Sequence, residues 1–518
     1  MRLLHATTAF ARALTRRVVA CTFVVSLVVR LASISTVLPE IHHTDELTNE
    51  RVVLAVRDTP TKSPAFFAYP TFMFYSQAAL LRAYEAVTGA RVKVSRVISN
   101  GVARTQFPGH WVAARTLTAV LGSAAAALAA WLGVTLGGSL RAGWVVGLFA
   151  ATSPLLVEDA RYMTPDTYAA FFTLAALAGA TLIVAEGTWK SYLFAGAMTG
   201  IAAGCKYNVA LAAVAIVVAH LVRHGPKGLL DPRLYLAAAA SIAAFIGTTP
   251  FAVLDYAHFR DGLASEAHHY QQGHPGAEGS ALPYNLGQLG ESEGLRLLFL
   301  PFVALAPRRI ARLGSVCLLS FVVAYFALVS VLRVRFARNL VPLDYPILVL
   351  AGLGLAALAE RIEPRWNRRS ASTLVATAAA LLSVSPGIRV AREIRERLHN
   401  TRSGAEEWIA AHLPRGSAVA VEAYGPWVDP DTYRVMGIFR YGELPDLYLE
   451  RRHFRFVALA EGAYGRFFAD RARYARQVAR YEALFRDHCV VAKFRDRPGA
   501  GLDVVDLDCT SPTAAGPR

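Results

Sequence analysis

The apolar residues of this chain come in long, nearly unbroken blocks: Val18–Val29, Trp111–Leu136, Ala169–Ala185, Leu234–Phe251, Val316–Leu332 and Val341–Ala359. Most approach the roughly 20 residues that carry a helix across a bilayer core. Lipid accepts only structures that satisfy their own backbone hydrogen bonds, so such runs must be helices. The pattern predicts a polytopic α-helical membrane protein. Composition agrees, since only 18% of residues are charged and 54% are hydrophobic, where soluble domains run near ~25% charged.

A net charge of +16 would suggest nucleic acid in a soluble protein. Here the Lys and Arg residues gather at the ends of apolar blocks, as the positive-inside rule expects. No RNA-binding or helix-turn-helix pattern accompanies them. Membrane lipids are expected partners and nucleic acid is not.

With the basic N-terminal flank inside, as an uncleaved signal anchor, the blocks give about 11 transmembrane helices. They cover about 18–38, 110–137, 142–157, 165–185, 191–204, 209–222, 234–253, 294–306, 314–332, 341–359 and 370–386. The short basic loops at Arg141, Lys190, Arg223–Arg233, Arg308–Arg312 and Arg361–Arg369 then all lie inside. The odd number of spans leaves the C-terminus extracytoplasmic, in the cell's inner (plasma) membrane. Arg30 interrupts the first span. It either faces protein or snorkels to an interface, and the sequence leaves both open.

Two long segments fall outside. Residues 39–109 are too polar to span and too apolar for plain linker. Within them Phe72, Tyr75, Leu80 and Tyr84 alternate with Ser76, Gln77, Arg82 and Glu85, which predicts juxtamembrane helices along the outer surface. Residues 254–293 hold His258, His268, His269 and His274; these read as a polar loop rather than a metal site. Beyond 390 the character changes to a small extracytoplasmic α/β domain, giving a division into 1–389 and 390–518. Its expected elements are helices at 405–413 and 467–485, strands at 417–422 and 454–460, and a strand pair at 489–494 and 502–507. That pair brings Cys489 and Cys509 together. They can form a disulfide if the domain lies in an oxidising compartment, which spacing alone does not decide. Cys21, Cys205 and Cys317 sit in or beside apolar segments and read as inert.

This topology collects ionisable residues on the outer face. The acids are Asp45, Glu46, Glu158, Asp159 and Asp166. The bases are Arg161, Lys206, Arg333, Arg335 and Arg338, with His43 and His274 nearby. A carboxylate can take a proton from an attacking hydroxyl, and cations can hold a phosphate as its charge develops. Each has a plainer alternative. Asp45 and Glu46 fit the first turn of a juxtamembrane helix, Asp166 follows Pro165 at a helix start where an acid suits the dipole, and Lys206 and Arg338 fit interfacial anchors.

An ordered set of short motifs lies on this one face. After His43-Thr44-Asp45-Glu46 come Tyr69-Pro70-Thr71-Phe72, Ala114-Arg115-Thr116-Leu117 and Tyr162-Met163-Thr164-Pro165-Asp166. Then come Gly200-Ile201-Ala202-Ala203-Gly204-Cys205-Lys206-Tyr207, Gly273-His274-Pro275-Gly276 and Arg338-Asn339-Leu340-Val341-Pro342. The set resembles the polyprenyl-phosphate-sugar-dependent glycosyltransferases of the C superfamily, whose branches include protein O-mannosyltransferases and lipid A aminoarabinose transferases. The resemblance spans about residues 18–390.

It implies a glycosyltransferase that moves a sugar from a polyprenyl-phosphate donor to a hydroxyl of a protein, lipid or glycan acceptor, with inversion. Asp45 maps onto the catalytic acid of the first outer loop. Glu46 would help place the acceptor and Asp166 would be a second acid, with Asp159 a competitor. Lys206 and Arg338 map onto positions for the carrier phosphate, and Tyr207, Arg161 and His274 complete the expected substrate contacts. No cofactor is required, though a divalent cation beside Asp45 is compatible. The rival reading is a transporter or flippase for a lipid-linked or small solute. Transporters more often carry inverted repeats and broken midplane helices, and the sequence displays neither.

Overall fold

The computed structural model describes residues 9–273, 279–363, 368–398, 400–495 and 500–510. Helix α1 (Ala9–Leu31) leads into strand β1 (Glu40–Ile41), helices α2 (Thr44–Asp58) and α3 (Phe72–Thr88), and strands β2 (Arg96–Ser99) and β3 (Val102–Arg104). Then follow α4 (Pro108–Gly137), α5 (Leu140–Ala151), α6 (Pro154–Asp159), α7 (Pro165–Ala185), α8 (Trp189–Ala203), α9 (Ala212–His224) and α10 (Pro232–Thr248). Two short polar helices come next, after the single turn α11 (Phe251–Leu254): α12 (Tyr256–Gln272) and α13 (Ala281–Glu293). The helical part closes with α14 (Arg309–Val331), α15 (Val341–Ile362), α16 (Arg368–Leu398) and α17 (Thr401–His412).

Among the described residues six helical stretches are long and apolar enough to cross a membrane. The other apolar blocks are helical but shorter or more polar. Two differ from expectation for local reasons. The expected span at 142–157 divides into α5 and α6, because Ser153 caps a new helix whose first residue is Pro154; proline starts a helix more readily than it continues one. The expected span at 294–306 is a 3₁₀ helix, Gly294–Leu305, with Pro301 inside it. Helix α16 runs past the expected end at 386 to Leu398, with Pro386 within it. The expected polar loop at 254–293 is largely α12 and α13.

One apolar core joins α2, α3, α4, α7, α8, α9 and α14, through Phe74, Trp111, Tyr168, Tyr192 and Phe321. A second joins α4, α5, α15 and α16. Helix α15 is buried along its whole apolar length. Helices α8 and α10 meet along a small-residue stripe. A Cβ on Gly196, Gly200 or Gly204 would stand 2.1 Å from Ala237 O, Ser241 O or Thr248 Oγ1. Only glycine permits that approach, the usual route to close helix contact in lipid. It fixes the end of α8, from which Lys206 emerges.

Arg30 faces protein. It is fully buried, paired with the Ser26 hydroxyl, and donates to Ala150 O at 3.4 Å and Tyr345 Oη at 3.3 Å.

Two sheets stand at one end. The small one runs β1-β3-β2, all antiparallel. The larger comprises β4 (Ala418–Glu422), β5 (Arg434–Ile438), β6 (Phe456–Ala460), β7 (His488–Phe494) and β8 (Leu502–Thr510), in the order β5-β4-β6-β8-β7. Its first three strands are parallel and the last two antiparallel. Strand β5 and the small sheet escaped the sequence reading. The helix expected at 467–485 is two, α18 (Glu461–Ala469) and α19 (Ala475–Asp487). Cys489 and Cys509 form a disulfide across β7 and β8.

The larger sheet is fastened to the small one. Tyr424 N donates to Asn100 O at 2.8 Å and Ser99 Oγ to Ile438 O at 2.7 Å. Gly437 lies so close that a Cβ there would reach 1.7 Å from Ile98 O. Arg104 donates to Glu40 at 2.8 Å, pairs with Glu406 on α17, and lies over the Trp427 ring at 5.1 Å.

Candidate active site

The site begins at the start of α2. His43 is its N-cap residue, in extended conformation, and Asp45 and Glu46 fill the first turn, where negative charge suits the helix dipole. The two carboxylates go opposite ways. Asp45 Oδ2 pairs with Arg338 Nη1, and both side chains keep about a quarter of their surface exposed. Glu46 is fully buried. Its Oε1 accepts from Arg115 Nε at 2.9 Å and from Met163 N at 2.8 Å, and its Oε2 accepts from Arg115 Nη2 at 2.7 Å. Asn49, one turn on, donates to Met163 O at 2.8 Å. Helix α2 is thereby pinned to the loop before α7, and Asp45 is held at its rim. Both Glu46 oxygens are thus engaged within the protein.

Arg338 lies in the 3₁₀ turn Ala337–Leu340 before α15, its guanidinium 4.5 Å from the Phe336 ring centroid. The next residue, Asn339, reaches a second ion pair. Lys206 Nζ donates to Asp166 Oδ1 at 2.6 Å and to Asn339 Oδ1 at 2.9 Å. Tyr270 donates to the same Asn339 oxygen at 3.2 Å, and Tyr325 to the Asn339 carbonyl at 3.0 Å. Lys206 and Asp166 are both buried, where a charge without its partner is costly. The pair joins the starts of α7 and α15 to the end of α8.

Asp159 accepts from Thr167 Oγ1 at 2.6 Å. Burial, and then the charge of Asp166, push its carboxyl above the usual carboxylate range. Tyr69 and Glu266 also border the cluster. Burial raises the Tyr69 hydroxyl despite Arg338, and raises Glu266 despite His269, Lys206 and Arg338.

The structure therefore brings together Asp45, Arg338, Lys206, Asp166 and Asp159 from the sequence reading. Tyr207 spends its hydroxyl on Phe67 O at 3.0 Å and packs edge-on to Phe259. Arg161 lies elsewhere, with Glu158, Glu393 and Arg397 as its nearest charges. His274 lies outside the described residues. Tyr69, Glu266, Tyr270, Asn339 and Tyr325 were missed as site residues. Tyr69 and Asn339 stand in motifs already singled out, whereas Tyr270 carried no signal because its segment read as loop. Among the described residues no group of His, Cys, Asp and Glu is arranged to hold a metal.

The helical bundle with a sheet unit docked at one end has the fold of a solved membrane protein, ArnT. Its likeness to ArnT from Cupriavidus metallidurans bound to undecaprenyl phosphate covers 99% of this chain and 100% of that one, with a TM-score of 0.55 and 15% identity. The apo state of that ArnT gives 0.54 and 16%, over 98% of this chain and 100% of that one. The family model for dolichyl-phosphate-mannose-protein mannosyltransferases matches residues 91–259. No curated protein sequence matches significantly.

Proposed function

We propose that this protein is a glycosyltransferase of the outer membrane face, taking a sugar from a polyprenyl-phosphate donor and passing it to an acceptor hydroxyl. The observation that carries this is the Asp45–Arg338 pair beside the buried Lys206–Asp166 pair. Asp45 takes the proton of the attacking hydroxyl. The hydroxyl oxygen bonds to the anomeric carbon as the bond to the phosphate oxygen breaks, and the electron pair leaves on the phosphate, inverting the centre. Arg338 and Lys206 hold that phosphate as its charge grows, with Tyr69 and Tyr270 as further donors. No cofactor enters these steps. The reading goes with about 11 spans, the N-terminus inside, a plasma-membrane location, a transmembrane unit at 1–389 and an extracytoplasmic unit at 390–518, all of which we propose. The ArnT-like fold and the grouping of charge at one end support a transferase over a transporter.

Asp45→Asn tests the reading. Transfer of sugar from a polyprenyl-phosphate donor should fall by at least about 10²–10⁴-fold, the usual worth of a general base, while the protein still purifies folded and binds undecaprenyl phosphate. Wild-type turnover in that variant would sink the assignment.

A further inference from the structure

Arg338 and Asn339 are neighbours in the turn Ala337–Leu340, and each reaches one ion pair. Arg338 pairs with Asp45 at the rim. Asn339 Oδ1 accepts from Lys206 Nζ at 2.9 Å, beside Asp166. Both cations face the donor phosphate in the transfer proposed above, and Asn339 has no part in it. Yet Asn339 is 3% exposed and its backbone is held from two sides. Its N–H donates to Phe336 O at 3.0 Å, and its carbonyl accepts from Tyr325 Oη at 3.0 Å. Tyr325 is stacked in turn on Phe321 of α14, with ring centroids 5.2 Å apart. The turn is therefore fixed, and with it the starting points of both side chains.

The amide is fixed as well. Lysine only donates, so Asn339 must present its oxygen to Lys206 rather than its nitrogen. The same oxygen accepts from Tyr270 Oη at 3.2 Å, which engages both of its lone pairs. Tyr270 is tied a second time, since its carbonyl accepts from Arg333 N at 3.0 Å. Lys206 thus spends one N–H on Asp166 and another on Asn339. With those directions set, tetrahedral geometry sets the direction of the remaining one.

Charge explains why an amide suits this place. Asp45 matches Arg338, and Asp166 matches Lys206. Asp159 and Glu266 also lie within electrostatic reach of both cations. Positive charge is in no surplus here, and an arriving anion already meets carboxylates. A second carboxylate on Lys206 could accept the same hydrogen bonds, but it would repel a phosphate. An apolar side chain would leave Lys206 and Tyr270 without their acceptor. An amide of this length avoids both faults. Resting on the transferase reading, we propose that Asn339 is a positioning residue of the donor site: it aims Lys206 and Tyr270, fixes their spacing from Arg338, and leaves the ammonium its charge for the carrier phosphate.

Binding tests this apart from turnover. Full-length protein in lipid nanodiscs would be titrated calorimetrically with undecaprenyl phosphate, with a melting curve for each variant. Asn339→Asp keeps the accepting oxygen and should melt no lower than wild type. It should nevertheless bind undecaprenyl phosphate about tenfold or more weakly, because it adds a charge beside the phosphate. Combining it with Asp166→Asn moves the carboxylate across Lys206 instead of adding one, and should recover most of the lost affinity. Asn339→Ala adds no charge, and its folded fraction should bind about two- to tenfold more weakly through the lost acceptor. An Asn339 that only supports the helices gives another pattern. Asn339→Asp then binds like wild type, and Asn339→Ala loses binding only as far as it loses folded protein. Either result overturns the inference, as does a folded charge-swap variant that recovers nothing. Failure of the wild-type protein to bind undecaprenyl phosphate would remove the donor reading and this role together, whereas wild-type binding unchanged in every variant removes the role of Asn339 alone.

Discussion

Asp45 and Arg338 lie 293 residues apart in sequence and form an ion pair at the rim of the site. The guanidinium that would meet the donor phosphate is thus shared with the carboxylate that would take the acceptor proton. Asp45→Asn removes the competing charge from Arg338. Undecaprenyl phosphate should therefore bind Asp45→Asn at least as tightly as wild type, although transfer is lost. Arg338→Gln should weaken that binding by about tenfold or more, the worth of one charge-assisted contact. Calorimetric titration of both variants checks the pair.

Glu46 should behave differently from its neighbour. Its buried bidentate pair with Arg115 cannot lose one member cheaply. Glu46→Gln should cost about 3–5 kcal/mol and lower the melting temperature. Replacing both Glu46 and Arg115 with Met should recover much of that stability. A Glu46→Gln variant that melts like wild type but fails in transfer would restore a direct role in the reaction.

Lys206 and Asp166 make a sharper double-variant test. Lys206→Met alone leaves Asp166 buried without its 2.6 Å partner, and little folded protein is expected. Adding Asp166→Asn should restore folding, because no charge is then stranded. If Lys206 also holds the carrier phosphate, the refolded double variant will still bind undecaprenyl phosphate poorly. Wild-type affinity would limit Lys206 to supporting the helices.

In the sheet unit, Glu422 is fully buried. Its Oε1 accepts from Tyr441 N at 2.9 Å and is paired with the Tyr481 hydroxyl, and its Oε2 accepts from Ala460 N at 3.0 Å. Burial outweighs these bonds and pushes the carboxyl up from 4.5 to about 7. The folded value lies above the unfolded one. The stabilisation is therefore complete below about 4.5, falls as pH rises, and is gone above about 7. Its size is roughly 3 kcal/mol. Hydrogen exchange in β4 and β6 of the full-length protein, corrected for intrinsic rates, should show weaker protection near pH 8 than near pH 5. Glu422→Gln should flatten that difference.

The apolar blocks were legible because lipid demands length and periodicity says little else. Charge at block ends gave the grouping of Asp45, Asp159, Lys206 and Arg338 before any contact was known, and the structure gathers these around Asp166 and Asn339. Other features were hidden because they depend on tertiary partners. Glu46 looked equal to Asp45 in sequence. Only the position of Arg115, 69 residues on, sets their surroundings apart. Strands β1, β2 and β3 are two to four residues long, too short for alternation to register. Arg161 was grouped with the phosphate binders by charge, although the structure sets it beside Glu158, Glu393 and Arg397.

The contact of Gly437 with Ile98 O and the bond from Tyr424 to Asn100 also bear on how such chains can be recombined. A break near residue 415 looks like a natural seam, since helix gives way to sheet there. Yet the larger sheet is keyed to strands laid down more than 300 residues earlier. An exchange of the terminal unit between relatives would have to carry residues 96–104 with it and keep glycine at 437. Otherwise the incoming unit would meet a backbone shaped for another partner. The two segments pack as one part, though the sequence writes them far apart.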